Sequence, residues 1–80
     1  MPIKSALQSR GNISVNSVRV RGTSVTNHVA TNSSTGRRVS INQHSDNTFN
    51  VRDDRNVEVY DGEYSESLIE IIFISLFFWR

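Results

Sequence analysis

The chain has 80 residues, no cysteine and a formal net charge of +1, which bound it to about one small domain with neither a disulfide framework nor a thiolate metal site. Apolar residues make up 36% of it and are unevenly placed, ten of them falling between Leu68 and Trp79. The rest is polar enough to approach compositions that cannot repay the entropy of folding, so the C-terminal segment must complete the core or a partner must.

The near-zero net charge conceals a division. Residues 1–45 contain no carboxylate and carry Lys4, Arg10, Arg19, Arg21, Arg37 and Arg38, a charge of +6, whereas residues 46–80 sum to −5. Such a split is satisfied if the halves pair within one fold, if they pair head to tail between copies, or if the basic half meets an anionic ligand. Eight of the nine cations are arginine, whose planar five-donor fork suits phosphate, carboxylate and aromatic faces.

Polar residues follow Met1-Pro2-Ile3-Lys4 where an export signal has its apolar run, so a cytosolic or intravirion setting is expected. Residues 1–11 read as an arm: Ile3, Ala6, Leu7 and Arg10 have near-helical spacing, but over a stretch long enough only for a single turn.

Residues 12–62 read as β-rich. Ile13 and Val15 share one parity and Val18 and Val20 the other, so a bulge or bend near Asn16-Ser17 is expected to keep all four on one side. Val25, Asn27 and Val29 alternate, the turn cluster Asn32-Ser33-Ser34-Thr35-Gly36 follows, and Val39, Ile41 and Gln43 alternate again. This is a hairpin, with Thr26, His28, Arg38, Ser40 and His44 expected on its polar face. A second hairpin joins Phe49 and Val51 to Val57 and Val59 through the polar turn Asp53-Asp54-Arg55-Asn56, and Asp61-Gly62 ends it. The expected fold is mainly β, a small antiparallel meander or sandwich of about 4–6 short strands.

The apolar segment 65–80 carries conflicting signals. Ser67 and Glu70 have capping-box spacing, which predicts a helix from about residue 68, while four isoleucines and three phenylalanines favour a strand. Its length favours the helix. Such a helix is about 18 Å long against a hydrocarbon core of roughly 30 Å, so it does not span a bilayer alone, although Trp79 and Arg80 suit a membrane interface.

Signals for chemistry are sparse. His44-Ser45-Asp46 contains triad residue types, but neighbours on a strand point to opposite faces, so no catalytic residues and no enzymatic activity are expected. His44 and Asp46 share a face that His28 could join as an N,N,O metal set, yet exposed histidines are commoner than ligands; no metal or cofactor is expected. Asp53-Asp54 lacks calcium-loop spacing, and no glycine-rich phosphate loop is present. Arg37-Arg38-Val39-Ser40-Ile41 reads as a basophilic kinase site whose serine is held in a strand. The basic half contains no aromatic residue to stack on bases, leaving only backbone contact as a mode of nucleic-acid binding.

Val57-Glu58-Val59-Tyr60-Asp61-Gly62, followed by Ser65 and Leu68-Ile69, resembles the VEVYDG stretch of CUB domains, which are extracellular β-sandwiches that sometimes bind calcium. The family's cysteines are missing, the chain is short and its N-terminal half shows nothing similar, so the resemblance carries no function with it.

The expected function is that of a non-enzymatic structural or assembly protein, viral or phage-like in character. It buries strand edges and an apolar tail face of Ile69, Ile72, Phe73, Leu76, Phe77 and Trp79 against a protein partner or a homo-oligomer. Two alternatives remain open: an anion-binding module for RNA or DNA backbone using Arg19, Arg21, Arg37 and Arg38, and a peripheral membrane protein held by residues 68–79.

Overall fold

Alternating side chains and short polar turns fold the middle of the chain into one antiparallel sheet in the computed structural model, which describes residues 3–78. The elements in chain order are α1 (Ile3–Gln8), β1 (Ile13–Arg19), β2 (Thr26–Asn32), β3 (Arg38–Gln43), β4 (Thr48–Arg52), β5 (Glu58–Glu63) and α2 (Glu66–Phe77). The strands lie in the spatial order β1-β2-β3-β4-β5, so each pairs only with its neighbours in sequence. This is the expected meander. The layer that a second sheet supplies in a sandwich is supplied here by the two helices.

Each turn is closed by local chemistry. Between β3 and β4 the chain reverses at Asn47, whose φ of 65° is accessible to asparagine, and the backbone N–H of His44 donates to Thr48 O at 2.9 Å. Between β4 and β5 the buried Asp53 accepts from the N–H groups of Arg55 (2.9 Å) and Val57 (3.0 Å), and Asn56 takes a φ of 63°. Between β2 and β3 the side-chain oxygen of Asn32 accepts from Ser34 N–H at 2.9 Å, and Gly36 supplies the positive φ that closes the loop.

One face of the sheet carries the core. It presents Ile13 and Val15 from β1, Ala30 from β2, Val39 and Ile41 from β3, and Phe49 and Val51 from β4. Helix α1 adds Ile3, Ala6 and Leu7, so the N-terminal stretch expected to be an arm is an integral part of the core. Helix α2 adds Leu68, Ile69, Ile72 and Leu76, spaced to form one stripe along its axis. The preference for helix over strand in this segment is met, with the start displaced. Ser65 caps the helix by accepting from Leu68 N–H at 3.3 Å, two positions before the expected Ser67, because Ser65 is the residue held in extended conformation by the exit from β5.

Three local expectations are corrected. No bend interrupts β1, whose register runs unbroken from Ile13↔Asn32 to Arg19↔Thr26. Val18 and Val20 consequently face away from Ile13 and Val15 and are 65% and 40% exposed, because that parity points to the open face of the sheet. The irregularity lies instead between Val51 and Arg52 opposite β5, where it lets Val59 and Tyr60 both pack on the core. The expected polar face of the first hairpin is split, since β2 continues through Asn32 and the register pairs His28 with Ile41 and Ser40 with Val29. Thr26 and His28 therefore lie on the helix-covered side, Arg38 and Ser40 on the open side. Finally, β5 continues through Asp61-Gly62 to Glu63.

Candidate functional site

Because sheet order equals chain order, the charge division of the sequence becomes a division in space. Arg19 of β1 and Arg38 of β3 lie towards one side of the sheet and Glu58, Asp61 and Glu63 of β5 at the other, while β2 carries no formal charge and β4 only Arg52. Both outermost strands leave an edge unpaired among the described residues. At the β1 edge, Arg19 and Arg21 are exposed and flank the exposed Val18 and Val20. At the β5 edge, Glu58, Asp61 and Glu63 are exposed, and their register opposite Arg52, Asn50 and Thr48 places them together on the open face.

The four arginines considered for anion binding do not converge. Arg19 pairs with Thr26 at the start of β2 and Arg38 with Thr31 near its end, five residues apart along that strand. The odd separation puts them on opposite faces, and their backbones are offset by roughly 17 Å along the strand direction at 3.4 Å per residue, with β2 between them. Arg37 and Arg38 follow the β2–β3 loop, whereas Arg21 lies in the β1–β2 turn at the other end of the sheet. Arg38 shares a shallow depression with Asp53 and Asp54.

The open face is a hydrogen-bonded polar surface. Asn27, Asn42, Asn50 and Asp61 stand in direct register across β2 to β5. Asn27 Nδ2 donates to Asn42 Oδ1 at 2.9 Å and to Ser40 Oγ at 3.0 Å, and Asn50 Nδ2 donates to the Glu58 carboxylate. Ser40, the serine of the kinase-like motif, is thus half-buried and engaged within a strand.

Helix α2 divides the residues of the expected apolar tail face. Ile69, Ile72 and Leu76 are buried in the protein's own core, while Phe73 is partly buried and stacks on the exposed Phe77 with ring centroids 4.4 Å apart. Trp79 lies outside the described residues. The apolar surface left accessible comes instead from Ile74 and Phe78, the latter 70% exposed, with a small groove between α2 and Val59. Among the described residues no helix is long and apolar enough to cross a membrane.

The most built polar site lies on the helix-covered side, near the start of β2 and the end of β3. His28 is only 7% exposed and both ring nitrogens are engaged: Nδ1 lies 2.7 Å from Ser17 Oγ and Nε2 lies 2.9 Å from Gln43 Oε1. The amide oxygen can only accept, so Nε2 carries a proton, and in the neutral ring Nδ1 accepts from the Ser17 hydroxyl. This Ser17–His28–Gln43 relay adjoins a cavity of about 530 Å³ lined by Ile3, Lys4, His28, Gln43, Asn47, Phe49 and Tyr64. Ser17 is exposed and stands outside that lining. Phe49 and Tyr64 meet edge to face at 5.7 Å and form its aromatic wall.

The metal set weighed from sequence does not assemble. His28 lies on the covered side, His44 and Asp46 lie in the exposed β3–β4 turn, and no three metal-ligating side chains come together among the described residues. Asp46 instead accepts from the Thr48 hydroxyl at 2.7 Å and the Thr48 N–H at 3.2 Å; these bonds, the hydroxyl first, hold its carboxyl below the usual aspartate range.

Val25 and Val29 suggest the opposite parity for β2, which hides the relay and the cavity from a reading of the sequence. The readable signal was Gln43, which continues the buried parity of Val39 and Ile41 and so marks a polar group on the core side. Compared with known families, with curated proteins and with solved structures, the chain matches none, the CUB-like stretch included.

Proposed function

We propose that this chain is an assembly protein that associates with copies of itself edge to edge, β5 of one copy meeting β1 of the next. The observation that carries the reading is the opposite charge of the two open edges of a single sheet: Arg19 and Arg21 at one, Glu58, Asp61 and Glu63 at the other. Unpaired edges offer rows of backbone donors and acceptors, and most proteins protect them with charge on the edge itself. Here the charges repel like edges and attract unlike ones, which selects a head-to-tail contact over a two-fold one. Val18 and Val20 give the β1 edge an apolar strip for the neighbouring copy to cover. In a five-stranded meander the first and last strands run the same way. Arg19 lies on the helix-covered face while Glu58, Asp61 and Glu63 lie on the open one, so copies that alternate their helix sides meet as an antiparallel β5–β1 pair that brings Arg19 and these carboxylates to one face.

Light scattering across a concentration and salt series tests this. Association is expected at low ionic strength and declines as salt screens the edges. The double variant Arg19→Glu/Arg21→Glu and the triple variant Glu58→Lys/Asp61→Lys/Glu63→Lys should each remain monomeric, whereas their equimolar mixture should associate, because each then offers the edge the other lacks. A wild-type protein monomeric at all concentrations, or association that both variants retain, would overturn the proposal.

A further inference from the structure

We infer that the cavity beside His28 is a binding site for a small carboxylate that carries an apolar body. Its volume of about 530 Å³ lies within the roughly 300–1,000 Å³ of small-molecule pockets. The lining has two characters. Ile3, Phe49 and Tyr64 give it an apolar wall, and Lys4, Gln43 and Asn47 give it donors, with no carboxylate among the lining residues.

The relay decides which polar atoms are available. Gln43 Oε1 is taken by His28 Nε2–H, so the group Gln43 can offer the cavity is its amide N–H₂. Both His28 nitrogens are occupied, and the imidazole therefore acts as a fixed support that orients Gln43. No hydrogen bond is made among the described residues by the Lys4 ammonium, the Gln43 amino group, the Asn47 side chain or the Tyr64 hydroxyl. A site with surplus donors, a cation and no anion selects an acceptor-only, negatively charged head group, and a planar carboxylate matches it. The aromatic pair opposite suits a ring or a branched aliphatic body. The lining includes no residue of β1 or β5 and none of the edge charges, so the site stands or falls independently of the assembly reading.

The test is an amide-resolved NMR titration of the intact protein with benzoate and cyclohexanecarboxylate, and with benzyl alcohol as the neutral counterpart. Both carboxylates are expected to shift the amides of Lys4, His28, Gln43, Asn47, Phe49 and Tyr64, with a Kd of about 1 mM or tighter. Benzyl alcohol should bind about tenfold more weakly or worse. Lys4→Gln, on an exposed position of α1, should weaken both carboxylates about tenfold and leave benzyl alcohol unchanged. Gln43→Glu, which puts a carboxylate into the lining, should weaken them in the same direction. Equal binding of the charged and neutral probes, shifts at other residues, or no shifts up to about 10 mM would overturn the assignment.

Discussion

The side-chain amide of Asn32 donates to the backbone carbonyl of Leu76 at 3.0 Å, joining the end of β2 to the last turn of α2 across 44 residues of chain. The final carbonyls of a helix have no partner within it, and here one of them is buried against the sheet. Asn32 is 1% exposed, and its oxygen simultaneously holds the β2–β3 loop through Ser34 N–H. Asn32→Ala should lower stability by about 1–3 kcal/mol, the cost of stranding a buried polar group. Asn32→Asp keeps the loop acceptor but sets a carboxylate against a carbonyl oxygen, and should cost at least as much. Urea unfolding measures both; an Asn32→Asp variant as stable as wild type would remove the contact from the account.

Helix α1 is short, but Leu7 is fully buried within it. Leu7→Ala is expected to cost about 2–5 kcal/mol, comparable to all that a core of this size supplies. Circular dichroism should show loss of the folded state or a large fall in its melting temperature, and a change under about 1 kcal/mol would return residues 3–8 to the status of a dispensable arm.

Asp46 gives a pH signature. Its folded pKa lies below the ordinary value because of the Thr48 hydroxyl and N–H, so its contribution to stability is present above the unfolded-state pKa and is lost as the pH falls through the folded one. Carboxyl NMR titration should find Asp46 titrating at lower pH than an unbonded aspartate. Thr48→Ala, which removes the stronger bond, should raise that midpoint while Thr48→Ser largely preserves it.

Val18 faces away from the core and should tolerate charge. Val18→Lys is expected to change stability by no more than about 0.5 kcal/mol while weakening self-association, since a lysine on an edge strand opposes further pairing. Chemical denaturation and light scattering on one preparation separate the two effects. Loss of stability without loss of association would contradict the assigned orientation of β1.

Much of the fold was legible from local chemistry. The hairpin through Ser33–Gly36, the Asp53–Asn56 turn and the helical C-terminal segment all follow from turn residues, alternation and length. Parity was harder to read. In β2 Val29 faces the open side while Ala30 and Asn32 face the core, because loop register, and not residue hydrophobicity, decides which set is covered. The cavity was invisible for the same reason: its polar members come from α1, β2, β3 and the β3–β4 turn, and only tertiary register brings Lys4, His28, Gln43 and Asn47 around one space.

The strictly sequential order of the strands also governs how the molecule is made and unmade. Every strand pair closes only a short loop, so hairpins can form and extend on fast local timescales, whereas the contact between α1 and α2 spans nearly the whole chain and must await the sheet. Docking of α2 then becomes the late step, sealed when Asn32 finds the Leu76 carbonyl. Native-state opening should run in the reverse direction, with the helix face separating before the central strands β2 to β4 surrender their amide protons, and the uncovered end of β1 exchanging ahead of both.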